Sequence, residues 1–212
     1  MIKEVCVENF TNVPLMIERG ANRIELNNNL SVGGTTPSFG VIKKTVEYAH
    51  KHDVPVIVMI RPRGGNFVYN EDELEIMIND IQICSLLNVD GVTFGCLTRE
   101  KHLDKRAMNR LLSVAHAGDL EVVMHMAFDE LTNAEQKEAI NWLSQNKVKR
   151  ILTHGGPLNQ PISQTLDHLE EVVKQAKNKI EILPGGGITK ANVNKIVEQI
   201  KIKQVHGTKI LG

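Results

Sequence analysis

The sequence predicts an α/β fold, a (β/α)8 barrel of the TIM type that lacks its eighth helix. Short apolar, β-branched runs alternate with longer amphipathic segments, and eight such runs enclose seven such segments. No Pro-, Ser- or Gly-rich linker and no shift in composition divides the 212 residues. Alternation of this kind is typical of a parallel sheet covered by helices. We therefore expect residues 1–212 to form one TIM-like barrel domain.

The predicted strands are short and mostly rich in Val, Ile and Leu, as buried parallel strands should be. They are Ile2–Val7, Arg23–Leu26, Pro55–Ile60, Val89–Phe94, Leu120–Met126, Val148–Thr153, Ile180–Pro184 and Lys203–His206. The alternative, an open Rossmann-like sheet, requires a G-x-G-x-x-G turn after the first strand. The chain instead continues Val7-Glu8-Asn9-Phe10, which favours the barrel.

The predicted helices occupy the amphipathic segments between these strands. They are Asn12–Arg19, Phe39–Lys51, Glu71–Leu87, Lys105–His116, Ala134–Gln145, Ile162–Gln175 and Lys190–Gln199. Asp72, Thr132 and Thr189 stand where helix N-caps belong. In Glu71–Leu87 the apolar residues recur at spacings of three and four, which predicts one buried face.

No eighth helix is encoded, because the chain reaches Gly212 six residues after the last predicted strand. The outer faces of the first and eighth strands would then lack one cover. A monomer rarely exposes a large apolar patch. We therefore expect a neighbouring subunit or a repositioned helix to fill the gap, and the first of these predicts a homo-oligomer.

Composition and charge exclude several classes of protein. The 25 Lys and Arg balance the 25 Asp and Glu without any run of like charges, which argues against nucleic-acid and membrane-surface binding. Three cysteines, Cys6, Cys84 and Cys96, are an odd number without C-x-x-C spacing, which excludes a disulfide scaffold and fits a reducing compartment. Because there is no apolar leader and no stretch of about 18 apolar residues, a cytoplasmic protein is expected.

Polar residues gather at the C-terminal ends of the predicted strands, where the loops of such a barrel meet and active sites form. The candidate catalytic residues are Glu25, Arg61, His125 and Asp129. Clustered carboxylate, guanidinium and imidazole groups are typical of functional sites. The alternative is a structural ion-pair network in which Arg61 and Arg63 neutralise Glu25, because an unpaired buried charge is costly.

Two glycine-containing segments are candidates for anion binding. In Arg61-Pro62-Arg63-Gly64-Gly65 two guanidinium groups could grip a carboxylate or a phosphate. The loops after the seventh and eighth strands commonly bind phosphate in such barrels. The predicted anion-binding residues are therefore Arg63, Gly185, Gly186, Gly187 and His206. Each segment can instead be a tight turn. In Arg61–Gly65 the two arginines would then pair with Glu25 and Asp129, and in Gly185–Gly187 the turn would need positive φ angles.

Soft metal ligands are also present in the predicted strands. They are Cys6, Met59, Met124, Met126 and His125. A thiolate with thioether or imidazole neighbours suits Cu(I), so Cys6 is the candidate metal ligand. Met and Cys in barrel strands also serve simply to fill the core. Cys84, on the apolar face of a predicted helix, is expected to do only that.

Seven segments carry a family pattern, in order, across essentially the whole chain. They are Glu4–Val7, Ala21–Leu26, Gly33–Ser38, Ile60–Phe67, His125–Asp129, Arg150–Thr153 and Pro184–Ile188. Together they resemble the CutC copper homeostasis proteins. The resemblance implies a cytoplasmic, self-associating (β/α)8-like barrel that is linked to copper tolerance and binds Cu(I).

Two positions depart from that family's pattern. Members commonly carry a cysteine after the Ile-Glu-Leu triplet, proposed to form a copper pair with the first-strand cysteine. Here that position is Asn27, so only Cys6 of the pair remains. Where the family has H-R-A-F-D, this chain reads His125-Met126-Ala127-Phe128-Asp129, so a cation is replaced by a thioether.

The sequence thus supports two functional hypotheses. The first is a copper homeostasis protein that holds Cu(I) through Cys6 with Met or His neighbours. The second is a lyase or isomerase that binds a small anionic or phosphorylated metabolite and moves protons through Glu25, His125 and Asp129. The family resemblance favours copper, and the composition of the site favours the enzyme. A purely structural or partner-binding role has no docking motif to support it.

Overall fold

The computed structural model describes all residues from Met1 to Gly212. Strands and helices alternate along the whole chain: β1 (Ile2–Glu8), α1 (Val13–Glu18), β2 (Arg23–Asn27), α2 (Phe39–Ala49), β3 (Val56–Met59), α3 (Glu71–Leu86), β4 (Gly91–Phe94), α4 (Lys105–Ala117), β5 (Glu121–Met124), α5 (Asn133–Gln145), β6 (Arg150–Thr153), α6 (Ile162–Ala176), β7 (Glu181–Pro184), α7 (Val193–Ile200) and β8 (Gln204–Gly207). The predicted fold class, with seven helices and eight strands, is confirmed. None of the helices is both long and apolar enough to cross a membrane.

The eight strands form one parallel sheet in the order β7-β6-β5-β4-β3-β2-β1-β8. No backbone ladder joins β7 to β8, and we call this edge the β7–β8 seam. The side chain of Gln204 bridges the seam by donating to the backbone carbonyl of Ile182 (3.3 Å) and to the Glu181 carboxylate (3.2 Å). Beyond the strands, the N–H of Lys190 donates to the carbonyl of Lys209 (3.0 Å). The barrel is therefore nearly closed.

Alternation of side chains along each strand gives the barrel two apolar layers. Residues such as Val5 and Val58 face outwards and belong to the large core between the sheet and the helices. A second, smaller cluster fills part of the interior and consists of Ile57, Val123, Leu152 and Leu183. These four residues come from β3, β5, β6 and β7, so the interior beside β1, β2 and β8 is left for other side chains.

Helix N-caps explain where two of the helices begin. Thr132 caps α5 through its hydroxyl, which accepts the N–H of Glu135 (3.4 Å), as predicted. The predicted cap Asp72 is wrong, because α3 is capped two residues earlier by Asn70. Asn70 and Glu73 form a reciprocal capping box, in which each side chain accepts the backbone N–H of the other. Such a box satisfies two otherwise unpaired donors at once, which decides the boundary.

The face left open by the missing eighth helix is covered by the chain itself. Val5 of β1 and Val205 of β8 are both 0% exposed. Ile210 and Leu211, which follow β8, are buried in the same apolar cluster. Val5 and Val205 therefore need no further cover from a neighbouring subunit or a repositioned helix. Self-association itself stays a prediction.

Candidate functional site

Six polar or thiol side chains lie together inside the barrel at β1, β2 and β8. We call them the interior cluster: Glu4, Cys6, Arg23, Glu25, Asn27 and His206. All six are buried. The parallel register explains the grouping, because Cys6 is paired with Glu25 across β1 and β2, and Glu4 with His206 across β1 and β8. Paired residues on neighbouring strands point to the same face, so these side chains meet.

Three members of the interior cluster bring different donor atoms together. The sulfur of Cys6, a carboxylate oxygen of Glu25 and a ring nitrogen of His206 all lie within 4.8 Å of one another. The Nδ2 of Asn27 donates to Oε2 of Glu25 (2.8 Å) and to Sγ of Cys6 (3.4 Å). Sulfur, nitrogen and oxygen donors at this spacing are ligands that transition metals accept. The arrangement is therefore a candidate metal centre.

The orientation of His206 is fixed by a carboxylate behind it. Nδ1 of His206 lies 2.8 Å from Oε1 of Glu4, and an ionised carboxylate only accepts, so Nδ1 carries a hydrogen and donates it. Nε2 then faces Glu25, 3.7 Å from Oε2. Glu4 is in turn held by an ion pair with Arg23. Carboxylate support of this kind commonly orients histidines that ligate metals.

Burial and charge together set the ionisation of the cluster. Burial alone would raise the pKa of Glu4, but the hydrogen bond from His206 and the charge of Arg23 outweigh it and lower the pKa to about 2. Burial alone would lower the pKa of His206, but the charges of Glu25 and Glu4 raise it overall. Burial and the charge of Glu25 raise the pKa of the Cys6 thiol well above its ordinary value. At neutral pH Glu4 is therefore ionised and Cys6 keeps its proton.

Arg61, a predicted catalytic residue, stabilises loops instead of pairing with an acid. Its buried guanidinium donates to three backbone carbonyls, those of Val32 (2.9 Å), Gly34 (3.0 Å) and Gly65 (2.6 Å). It also lies over the ring of Phe67, 4.8 Å from the centroid. The predicted pairing of Arg61 with Glu25 is therefore wrong. The two loops that follow β2 and β3 are joined through this one side chain.

Arg63 also has a partner other than the predicted ones. Its guanidinium forms an ion pair with Glu73 in the first turn of α3 and donates to the carbonyl of Val68 (2.7 Å). The predicted pairing of Arg63 with Glu25 or Asp129 is therefore wrong. Glu73 thus serves both the capping box and the loop before it, because its carboxylate accepts from Arg63 and from the backbone.

His125 and Asp129 both follow β5, and each has its own partners. The N–H of Ala127 donates to Nδ1 of His125 (3.2 Å), and Nε2 of His125 has no hydrogen-bond partner. Burial, aided by the charge of Arg61, lowers the pKa of His125 to about 3, so the ring is neutral. Burial raises the pKa of Asp129 to about 6.

Asp129 has a clear role in the fold. Its carboxylate accepts the hydroxyl of Thr153 and the backbone N–H groups of His154 (2.9 Å) and Gly155 (3.2 Å). It therefore holds the turn that follows β6. Glu25, His125 and Asp129 share no hydrogen bond, so the structure gives no connected path for protons among them. Their catalytic roles stay a prediction.

The glycine loop after β7 and the end of β8 border one cavity of about 370 Å³. Gly186, Gly187 and His206, three of the predicted anion-binding residues, line it, whereas Arg63 does not. Gly185 does not line the cavity, and its N–H donates to the carbonyl of Thr153 (3.0 Å). The loop is held by His154, whose Nδ1 lies 2.9 Å from the carbonyl oxygen of Gly186.

Asn192 fixes the far side of the same loop. Its Nδ2 donates to the carbonyl of Gly187 (2.9 Å), and its Oδ1 accepts the N–H of Thr189 (2.8 Å). Helix α7 begins after Asn192, so Thr189 is not its N-cap as predicted. Thr189 instead lies within the loop, whose conformation is set by side chains on both sides.

A nearly closed TIM-type barrel with a buried cluster of sulfur, nitrogen and oxygen donors defines the class of this protein. The CutC family model matches residues 1–211. A CutC family protein of Enterococcus faecalis is 51% identical over 211 residues, which cover 100% of both chains. The human copper homeostasis protein cutC homolog is 37% identical over 97% of this chain and 72% of its own length. The chain belongs to the CutC family.

A solved structure agrees with this assignment. The crystal structure of CutC from Streptococcus agalactiae has a TM-score of 0.95 to this chain at 43% identity. The match covers 99% of each chain. The likeness therefore extends over the whole barrel.

Sequence reasoning missed the contacts that build the interior cluster. It assigned His206 to the anion site, whereas the structure also places it beside Cys6 and Glu25. It treated Asn27 only as a lost cysteine, although the amide contacts both of those residues. The shared parity of Glu4 and Cys6 along β1 was visible in the sequence. The register against β8, which brings in His206, was not.

Proposed function

We propose that this chain binds copper at the interior cluster, through the sulfur of Cys6 and Nε2 of His206, and thereby takes part in copper homeostasis. The observation that carries the proposal is the approach of three buried donor atoms to within 4.8 Å of one another. The human relative is named a copper homeostasis protein homolog, which supports copper as the metal.

The donor set fits Cu(I) in spite of the missing second cysteine. Cu(I) prefers thiolate, thioether and imidazole donors. Met126 supplies a thioether beside the cluster. The side chains of Met126 and His206 both border Gly185. A Cβ built on Gly185 would lie 2.9 Å from the terminal methyl carbon of Met126 and 3.1 Å from Cδ2 of His206. Cys6, Glu25 and His206 hold the three clustered donors, and Met126 is a further candidate donor near His206.

The anionic groups behind the donors favour a cation. Glu25 lies within the donor set, and ionised Glu4 fixes His206 from behind. Because the pKa of Cys6 is raised, the thiol must lose its proton when a metal ion binds. Copper affinity should therefore rise as the pH rises.

The test is a Cu(I) titration against a competing Cu(I) chelator under anaerobic conditions. Cys6→Ser should lower the affinity by about 100-fold, and Glu4→Gln, which removes the support of His206, by about tenfold. Cys96→Ala is the matched control, because Cys96 is equally buried but lies outside the cluster. An unchanged affinity in Cys6→Ser would overturn the proposal.

A further inference from the structure

The cavity at the C-terminal end of the β7–β8 seam has the size and lining of a small-molecule site. Its volume of about 370 Å³ falls within the range of roughly 300–1,000 Å³ that ligand pockets occupy. It lies between the loop after β7 and the residues that follow β8. None of the residues that line it is acidic, and Lys209 supplies a positive charge at its edge.

Several hydrogen-bond donors in this cavity have no acceptor in the protein. The backbone N–H groups of Gly186, Gly187 and Thr208 donate to no backbone or side-chain atom of the chain. The imidazole of His206 forms the inner wall, with a side chain that is only 7% exposed and with Nε2 3.7 Å from Oε2 of Glu25. Donors from two separate loops therefore border one space.

The glycines are needed for this arrangement. Gly186 and Gly187 have φ angles of +75° and +76°, which residues with a side chain rarely adopt. A Cβ on Gly186 would lie 2.7 Å from Nδ1 of His154, the residue that holds the loop. The loop thus keeps two consecutive N–H groups free of side-chain cover. Backbone N–H groups presented in this way are typical of phosphate sites.

We propose that this cavity binds the phosphate group of a small phosphorylated metabolite. The N–H groups of Gly186, Gly187 and Thr208 and the ammonium group of Lys209 donate to the phosphate oxygens. A volume of about 370 Å³ leaves room for an organic group besides the phosphate. That group extends towards His206 and Met126, which lie at the inner end of the cavity. His206 borders both this cavity and the proposed copper site, whereas Cys6 does not line the cavity.

The test measures binding of inorganic phosphate and of glycerol phosphate to metal-free protein by calorimetry in a phosphate-free buffer. Glycerol alone is the negative control ligand. Lys209→Gln should weaken glycerol phosphate binding by about tenfold, because one charge-assisted hydrogen bond is lost. Lys203→Gln is the matched control, an exposed lysine at the opposite end of β8. Thr208→Asp, which brings a carboxylate to the cavity, should abolish binding.

The outcomes separate this proposal from the copper proposal. Cys6→Ser should lose copper affinity and keep glycerol phosphate binding, whereas Lys209→Gln should do the reverse. Tighter binding of inorganic phosphate than of the ester would overturn the assignment to a phosphorylated metabolite. The site itself would be overturned if neither phosphate nor glycerol phosphate binds. It would also be overturned if Lys209→Gln and Lys203→Gln weaken binding equally.

Discussion

The two halves of the barrel interior differ in chemistry although the same strand geometry builds both. Beside β3, β5, β6 and β7 the middle of the interior is an apolar cluster of Ile57, Val123, Leu152 and Leu183. The one buried charge on these strands, Arg150 at the start of β6, is paired with Glu121 and Glu181. Beside β1, β2 and β8 it contains the charged interior cluster. Burying charges is costly unless they are paired, and apolar residues of similar volume are often as stable or more so. The charged half is thus the costly one to bury, as expected if it holds the proposed copper site, and the apolar half stabilises the barrel.

The largest effect on the charged half should come from breaking its buried ion pair. Arg23→Ala leaves the buried carboxylate of Glu4 with His206 as its remaining partner, which should lower the free energy of unfolding by about 3 kcal/mol. Urea denaturation at neutral pH measures this. The control is Arg110→Ala, whose exposed pair with Glu71 should contribute less than about 1 kcal/mol. Similar losses in both variants would contradict the buried pairing.

A truncation in the apolar half should destabilise the barrel without affecting copper. Leu183 is 0% exposed, and Leu183→Ala should lower the free energy of unfolding by about 2–5 kcal/mol through lost packing and a cavity. The Cu(I) affinity, measured by chelator competition, should stay at the wild-type value. A clear fall in affinity would show that the two halves are coupled and that the proposed division is wrong.

Acidification should weaken the charged half first. The pKa of Glu4 is lowered from its ordinary value of 4.5 to about 2 in the folded state. The ionised carboxylate therefore stabilises the fold fully at pH values above about 4.5. This contribution, on the order of 3 kcal/mol, is lost as the pH falls from about 4.5 to about 2.

Denaturation between pH 6 and pH 2 measures that loss. Glu4→Gln should be less stable at neutral pH and should lose less stability across this range than the wild type. Glu138→Gln, at an exposed position, should keep the wild-type pH dependence. If Glu4→Gln loses as much stability between pH 6 and pH 2 as the wild type, another group causes the acid destabilisation.

The smallest effect is expected where the two halves meet. Met126 packs against the apolar cluster but also lies beside His206. Met126→Leu keeps the volume, so stability should change by less than about 1.5 kcal/mol, while Cu(I) affinity falls a few-fold with the thioether. Met124→Leu is the matched control, because Met124 faces the outer core. Equal affinities in the two variants would exclude Met126 as a donor.

The elements of the fold were predictable because each strand and helix has its own periodicity. The predicted strands and helices lie close to the observed ones. The largest shift is at the start of α7, which begins after Asn192 instead of at Lys190. The burial of Ile210 and Leu211 after β8 was not predictable, because nothing in their spacing shows that they fold back into the core.

The candidate site was only partly predictable. Cys6 and Glu25 could be placed at neighbouring strands, but their contact with His206 depends on the register of β8 against β1. Arg61 illustrates the opposite error. A guanidinium near carboxylates in the sequence suggests an ion pair, yet three backbone carbonyls from two loops compete for it and are closer. Such long-range choices depend on loop geometry that residue types do not encode.

The β7–β8 seam bears on how an ion reaches donors enclosed by strands. Separating these two strands breaks a few bonds, those of Gln204 and the link between Lys190 and Lys209, rather than a complete ladder. Local opening is least costly where the fewest bonds must break. Amide hydrogens along this edge should accordingly exchange with deuterium sooner than those of β4 and β5. This edge is the point at which we expect the proposed copper ion to enter.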